Sequence, residues 1–221
     1  MLHEIITMNL ILISDFDGTI VTIDTVVYLL NKFVKEDWKI FDLKYERRKI
    51  TIDECIRSQV SLLRTVPKNV MLEELENVVS FRKNFKNLAT HCNEKNIPFM
   101  VASAGLDFVI KHFLNLAELT NISIHAPKTV ISDNNMEISF PLKDEMSIDF
   151  KEDLVKSFKK QRYKTIYVGD GVSDFNAIQI ADFPFVIKDS KLAKICENKR
   201  VPHKEIVDFK NVIDTIKSFN Q

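Results

Sequence analysis

The chain of 221 residues is long enough for one large domain, or for a core domain carrying a smaller insertion. Hydrophobic residues make up 45% and charged residues 28%, so a sizeable core can form beneath a solvated surface. The 31 basic side chains balance 31 acidic ones, which excludes a global field that would recruit nucleic acid or an anionic membrane; any anion must be held by local placement of charge.

Taken in order, Met1 to Ile13 does not read as an export signal, because its apolar part is short, Glu4 interrupts it and no small-residue cleavage site follows. Met8 is an alternative start, since the first strand needs nothing before Asn9. The apolar run Leu10 to Ile13 is ended by Asp15, Phe16, Asp17, Gly18 and Thr19, the pattern of a buried parallel strand closed by a turn. Asp24 and Thr25 can cap a helix through Val26, Tyr28, Leu29, Leu30 and Phe33. Trp38 to Arg48 continues as a charged amphipathic helix. Thr51 with Glu54 is a capping-box signature opening a helix through Ile56, Val60 and Leu63. Pro67 breaks it, and Met71 to Val79 is helical again. A single crossover between parallel strands does not need that much helix, so residues 22–78 read as an inserted helical cap domain, with 1–21 and 79–221 forming the core.

Phe81 to Asn96 reads as one amphipathic helix, and Pro98 to Ala102 as the second buried strand, ending in Ser103, Ala104 and Gly105. A helix through Phe108, Ile110, Phe113 and Leu114 leads to a third strand, Ile122 to His125. Val130 to Phe140, with Asp133, Asn134 and Asn135 at its centre, reads as a hairpin. Asp149 to Arg162 is helical, Thr165 to Val168 is a strand running into GDGVSD, Phe175 to Ala181 is helical, Phe183 to Ile187 is the last strand, and two short helices close the chain. The alternation is that of an α/β, doubly wound, mostly parallel sheet. No run of about 18 apolar residues occurs, so no membrane span is expected. Cys55, Cys92 and Cys196 are far apart and suit reduced thiols in a cytoplasmic setting, without zinc spacing or a disulfide framework. His3, His91, His112, His125 and His203 have no metal-ligand spacing, and the basic run Lys159 to Lys164 reads as a solvated helix end rather than a nucleic-acid patch.

Four polar clusters sit at strand ends or helix starts: Asp15/Asp17/Thr19, Ser103/Ala104/Gly105, Lys151, and Asp170/Asp174. Carboxyl ends of parallel strands are where open α/β sheets bind ligands. Two carboxylates placed there repel, so a cation or proton chemistry is expected to hold them. Hard oxygen ligands suit Mg²⁺, and a hydroxyl, a lysine and free amides suit a phosphate. Singly, each cluster has a plainer reading. Gly169-Asp170-Gly171 is also a tight turn, Asp174 and Ser103 are also helix caps, and Lys151 is also a solvated lysine. Their coincidence in this order carries the inference.

DFDGT after a strand, a Ser after a second, a later Lys and GDGVSD after another strand resemble the haloacid dehalogenase superfamily of phosphotransferases. That resemblance implies a small phosphorylated metabolite as substrate and Mg²⁺ as cofactor; a monomer or homodimer is expected, and the balanced charge and lack of a long apolar run lead to no nucleic-acid or membrane partner being expected. It makes Asp15 the nucleophile forming an aspartyl-phosphate and Asp17 the general acid and base. Thr19 and Ser103 would bind phosphoryl oxygens, and Lys151 would offset developing charge. Mg²⁺ would be held by Asp15, the backbone carbonyl of Asp17 and Asp170, with Asp174 in support. Within the superfamily the chain resembles the phosphoserine-phosphatase branch, with VSLL at Val60 to Leu63 echoing its cap helix. Asp24 stands where that branch has a glutamate on the substrate amine, and Gln59, with Arg57 nearby, stands where it has a carboxylate-gripping arginine. In detail it is more similar to the methionine-salvage 2-hydroxy-3-keto-5-methylthiopentenyl-1-phosphate phosphatases, at DFDGTI with Asp24, around Phe33 to Trp38, and at Gly105 to Phe108 (GLDF). It lacks the Cys-rich insert of their second half and has the Val130 to Phe140 hairpin there instead. Candidate cap contacts are Asp24, Tyr28, Arg57 and Gln59. Phosphoserine, phosphocholine or phosphoethanolamine are the alternative substrates. A phospho-acceptor signalling domain would combine similar residues, but on a shorter chain with the acceptor on a middle strand and no cap.

Overall fold

The computed structural model describes residues 9–47, 49–132, 135–140 and 149–219; Met1, Met8, Arg48, Asp133 and Asn134, on which expectations above rest, lie outside the described residues. Strand β1 (Leu10–Ser14) is buried along its whole length. Its side chains alternate between two cores: Leu10 and Leu12 join one, Ile11 and Ile13 the other. A strand apolar on both faces belongs in the middle of a parallel sheet with helices on each side.

The turn Phe16–Ile20 follows, closed by the Val21 N–H donating to the Phe16 carbonyl at 3.0 Å. The chain then departs into helices α1 (Thr25–Phe33), α2 (Lys39–Glu46), α3 (Ile52–Ser61) and α4 (Lys68–Glu76) before returning at Phe81, which pairs antiparallel with Val21. Departing and returning segments are stitched by Thr22 N–H to Ser80 O (3.1 Å) and Arg82 N–H to Ile20 O (2.8 Å). The local signals in this stretch form as the residues dictate. Asp24 accepts from Val27 N–H (2.9 Å) at the start of α1, and Thr51 and Glu54 bond reciprocally at the start of α3. Leu29, Leu30, Trp38, Val60, Leu63, Met71 and Leu75 are buried where these helices meet.

Helix α5 (Phe85–Glu94) is shorter than the periodicity predicts. Phe81 and Arg82 are committed to the pairing with Ile20 and Val21, and Asn84 adopts a left-handed φ of 67° that starts the helix only at Phe85. There follow β2 (Phe99–Ala102), α6 (Asp107–Leu116), β3 (Ser123–His125), the antiparallel hairpin β4 (Lys128–Ser132) and β5 (Asn135–Ser139), α7 (Phe150–Lys160), β6 (Lys164–Gly169), α8 (Phe175–Ile180), β7 (Phe183–Ile187), α9 (Lys191–Lys199), β8 (Lys204–Ile206) and α10 (Lys210–Ser218). Strand β8 has no sequence signature, being three residues long and half exposed at the sheet edge.

Six parallel strands run in the order β3-β2-β1-β6-β7-β8. Helices α5, α6 and α10 cover one face through Phe85, Val109 and Val212; α7, α8 and α9 cover the other through Val155, Ile178 and Leu192. The chain winds outward from β1 to β3, then crosses back to β6 and winds to β8. The reversal point lies beside β1, and the crevice it opens at the strand ends is the natural ligand position of such a sheet. Among the described residues, no helix is long and apolar enough to cross a membrane.

Candidate active site

Asp15, Ser103 and Asp170 follow directly on β1, β2 and β6, so adjacent parallel strands deliver them to one edge. Asp15 donates its N–H to Val168 O (2.9 Å), accepts the Phe16 N–H on its carboxylate (2.7 Å) and pairs with Lys151 Nζ (3.0 Å). Asp17 Oδ1 accepts both the N–H (2.8 Å) and the hydroxyl (2.6 Å) of Thr25, which ties it to the first turn of α1. Gly18 has φ +68°, and a Cβ there would lie 2.2 Å from Asp170 Oδ2, so only glycine lets the turn pass this close to β6. Arg82 holds the same turn from behind, donating through Nε to Thr19 O (2.8 Å) and through Nη2 to Gly18 O (2.5 Å).

Lys151 reaches the edge from the first turn of α7, whose start is capped by Asp149 accepting the Lys151 N–H (2.9 Å). Its Nζ lies 2.7 Å from Asp174 Oδ1 and 3.3 Å from Ser173 Oγ, with no solvent exposure. Asp174 Oδ1 also accepts the Tyr167 hydroxyl (2.8 Å), while its Oδ2 accepts the Asp170 and Gly171 N–H groups (3.2 and 3.0 Å). Both Asp174 oxygens are therefore taken by the protein. Ser103 is held by its N–H to His125 O (3.1 Å), and its Oγ accepts the Gly105 N–H (3.0 Å). A Cβ on Gly105 would fall 2.4 Å from Asp17 Oδ2, which shows how closely the second strand end approaches the first.

The crowding of carboxylates leaves its mark on their acidity. Burial, then the neighbouring Asp174 charge, push Asp15 well above the ordinary carboxylate range, against the pull of Lys151. Burial and the charge of Asp24 raise Asp17 to about 7, although the Thr25 hydrogen bonds oppose this. Burial and Asp174 raise Asp170 to about 6. Burial alone would lower Lys151, but Asp15 and Asp174 outweigh it and hold the ammonium above its usual value. Oxygens of Asp15, Asp170 and Asp174 lie within 4.8 Å of one another. Hard carboxylate oxygens gathered at this spacing, with raised proton affinity, fit a divalent cation such as Mg²⁺. Asp15, with one hydrogen bond or ion pair on each oxygen, and Asp170, engaged through Oδ1 alone, could ligate it, whereas Asp174 orients Lys151 and the Asp170 backbone.

These groups form the floor of a cavity of about 860 Å³. Asp15, Asp17, Ala104, Gly105, Lys151 and Asp170 line it from the sheet side; Asp24, Asp42, Tyr45, Cys55, Ile56 and Gln59 line it from the inserted helices. Other predicted residues are engaged elsewhere. The Thr19 hydroxyl donates to Asp170 Oδ1 (2.9 Å), so it orders the acidic floor. Tyr28 bonds Glu74 on α4 (2.9 Å). Arg57 points away from the cavity to the hairpin, donating to the Ile138 carbonyl and stacking over Phe140. Thr25, Tyr167, Arg82 and Asp42 act on the site without having been singled out. Only Thr25 carried a signal, as a capping residue next to Asp24; the others matter through long-range pairings.

Comparison with known proteins agrees with this geometry. Residues 12–179 match the family of haloacid dehalogenase-like hydrolases. The chain is 25% identical over 218 residues to the 2-hydroxy-3-keto-5-methylthiopentenyl-1-phosphate phosphatase of Brevibacillus brevis, covering 96% of this chain and 97% of that one. It is equally 25% identical to the enzyme of the same name from Bacillus pumilus, covering 96% and 94%. In fold it is similar to substrate-bound phosphoserine phosphatase, with a TM-score of 0.71, 17% identity, and coverage of 94% of this chain and 98% of that structure.

Proposed function

The chain belongs to the haloacid dehalogenase-like hydrolases, and we propose that it is a Mg²⁺-dependent phosphomonoesterase acting on a small phosphorylated metabolite through an aspartyl-phosphate on Asp15. The observation that carries this reading is that two carboxyl groups at one strand end are held differently: Asp15 pairs with the Lys151 ammonium, whereas Asp17 is held by the N–H and hydroxyl of Thr25. A carboxylate fixed by an ammonium is the nucleophile, and a carboxyl titrating near neutrality is the acid and base.

In the first half-reaction an Asp15 oxygen bonds to phosphorus as the ester P–O bond breaks, and Asp17 gives its proton to the leaving oxygen. In the second, water attacks phosphorus and loses a proton to Asp17, and the P–O bond to Asp15 breaks, releasing phosphate and restoring both groups. Lys151 stabilises negative charge gathering on the transferred group, and the Ser103 hydroxyl and the Ala104 N–H are the donors this segment offers to phosphoryl oxygens. Asp15, the Asp17 carbonyl and Asp170 would hold Mg²⁺, which would supply charge neutralisation of the phosphate. Residues 22–78 act as the cap that closes over the rest of the substrate. Near-full-length likeness to 2-hydroxy-3-keto-5-methylthiopentenyl-1-phosphate phosphatases supports a substrate of that kind. The buried free thiols Cys55, Cys92 and Cys196 suit a cytoplasmic setting.

The test is a panel of small phosphomonoesters assayed with Mg²⁺ and with EDTA, alongside Asp15→Asn. Turnover that needs the metal and vanishes in a folded Asp15→Asn protein is expected. Activity indifferent to EDTA, or retained by that variant, would overturn the assignment.

A further inference from the structure

The outer half of the cavity differs in chemistry from its floor. Val26, Val27, Ile52 and Ile56 give it an apolar wall, broken by the carboxylates of Asp24 and Asp42. Among the described residues, no lysine or arginine of α1–α4 lines it, and the two cations that do, Lys151 and Lys191, belong to α7 and α9 on the sheet side. Lys151 is consumed by Asp15 and Asp174, and Lys191 lines the cavity from the sheet side, near enough to Asp24 to lower its proton affinity slightly.

Asp42 is held in place by its neighbours. The amide of Gln59, 7% exposed, donates to Oδ1 at 2.8 Å, and the thiol of Cys55, 2% exposed, approaches the same oxygen at 3.7 Å. All the hydrogen bonds Asp42 makes among the described residues arrive at Oδ1, which leaves Oδ2 for a ligand. The Gln59 amide thus spends one of its two N–H donors on a carboxylate of this chain.

We infer that Asp42 is a specificity-determining residue: it accepts a hydrogen bond from the leaving group, so the preferred substrate bears a hydroxyl or ammonium donor there and no carboxylate. This rests on the phosphatase reading above. A carboxylate on the leaving group would face Asp24 and Asp42 with no cap-borne cation to offset them, and like charges in a partly desolvated site repel strongly. A hydroxyl or ammonium finds an oriented acceptor, with apolar side chains around its carbon skeleton. The substrate named for the bacillary relatives is a hydroxylated ester of this class, whereas phosphoserine is not.

Three esters of similar size separate the possibilities: phosphoethanolamine for the ammonium, glycerol 1-phosphate for the hydroxyl and phosphoglycolate for the carboxylate. Wild-type kcat/KM is expected to favour one of the first two over phosphoglycolate by tenfold or more, and the better of the pair identifies the donor. Asp42→Asn should shrink that ratio about tenfold, chiefly through KM, Asp42→Glu should restore part of it, and Asp42→Lys should raise kcat/KM for phosphoglycolate. Preference for phosphoglycolate in the wild type overturns the inference without any variant having to fold, and so does a ratio unmoved by folded Asp42 variants. If none of the three, nor p-nitrophenyl phosphate, is hydrolysed, the phosphatase reading falls and takes this one with it; if they are hydrolysed with the carboxylate preferred, only the role of Asp42 falls.

Discussion

Lys151 is the residue on which the site turns, because it is an ammonium with no exposure set between two carboxylates. Removing one partner of a buried pair costs about 3–5 kcal/mol, since the charge left behind is neither solvated nor paired. Lys151→Met should therefore lower stability by about that amount at neutral pH. Acidification should recover part of it, because Asp15, whose proton affinity burial already raises, can then become neutral. Thermal unfolding of variant and parent across pH checks this; a loss independent of pH would mean that Lys151 contributes packing rather than charge. At Gly105 the argument is steric. A Cβ there lies 2.4 Å from Asp17 Oδ2 and 3.2 Å from Ser103 Oγ, so Gly105→Ala must displace one of them. Its kcat should fall about 10²-fold with little change in stability, in line with misplacing a catalytic group by about 1 Å. Asp15, Asp17, Asp170 and Asp174 were legible because each lies just past a strand end or at a helix start in a motif a few residues long. Arg82 was not, since its contacts with Gly18 and Thr19 join positions more than sixty residues apart.

At the scale of elements, the hairpin β4–β5 packs against α3, so a piece of the sheet domain reaches the inserted helices. Met136 and Ile138 are buried there, and Arg57 joins the two through the Ile138 carbonyl and the Phe140 ring, 5.1 Å away. Helix α3 also carries Cys55, Ile56 and Gln59 into the cavity, on the face opposite Arg57. Arg57 thus sets where those side chains stand without touching the substrate. Arg57→Ala should raise KM for a substrate with a sizeable leaving group about tenfold and leave kcat nearly unchanged. Its stability cost should be no more than about 1 kcal/mol, because Arg57 is exposed and water competes for the bond. Steady-state kinetics with esters of increasing size would show it, and an equal loss in kcat for all of them would contradict it. Sequence located the hairpin from its polar centre but pointed Arg57 toward the substrate, because helical spacing fixes which residues share a face and not what each face meets. Capping signals were the most legible: Thr51 and Glu54 bond as read, and α4 opens directly after Pro67. The start of α5 escaped, because long-range pairing of Phe81 with Val21 overrides its helical periodicity.

Over the whole molecule, the order of the strands concentrates charge at one place. Winding outward from β1 in both directions brings the ends of β1, β2 and β6 together, and three carboxyl groups with raised proton affinity meet there. The alternation of strands and helices made that edge predictable; the proton affinities follow only from the packing. They set the sign of a pH dependence. Asp170 at about 6 and Asp17 at about 7 both stand above the ordinary 3.8, so the folded chain binds protons more tightly than the unfolded one. The stability contributed is fully present below the unfolded value and is lost as pH rises through about 6 and then about 7. Metal-free protein should therefore melt at lower temperature at about pH 8 than at about pH 5.5. Mg²⁺ would need the Asp15 and Asp170 carboxylates ionised, so it competes with protons and binds better as pH rises. At about a hundredfold excess over Kd it should add about 2.7 kcal/mol, or about 5–10 °C in Tm, near pH 8. Near pH 5.5 the gain should be much smaller, because binding there must first displace the protons. Melting curves at both pH values, with EDTA and with Mg²⁺, decide the matter. An equal Mg²⁺ shift at both would mean that the cation is held by groups other than these.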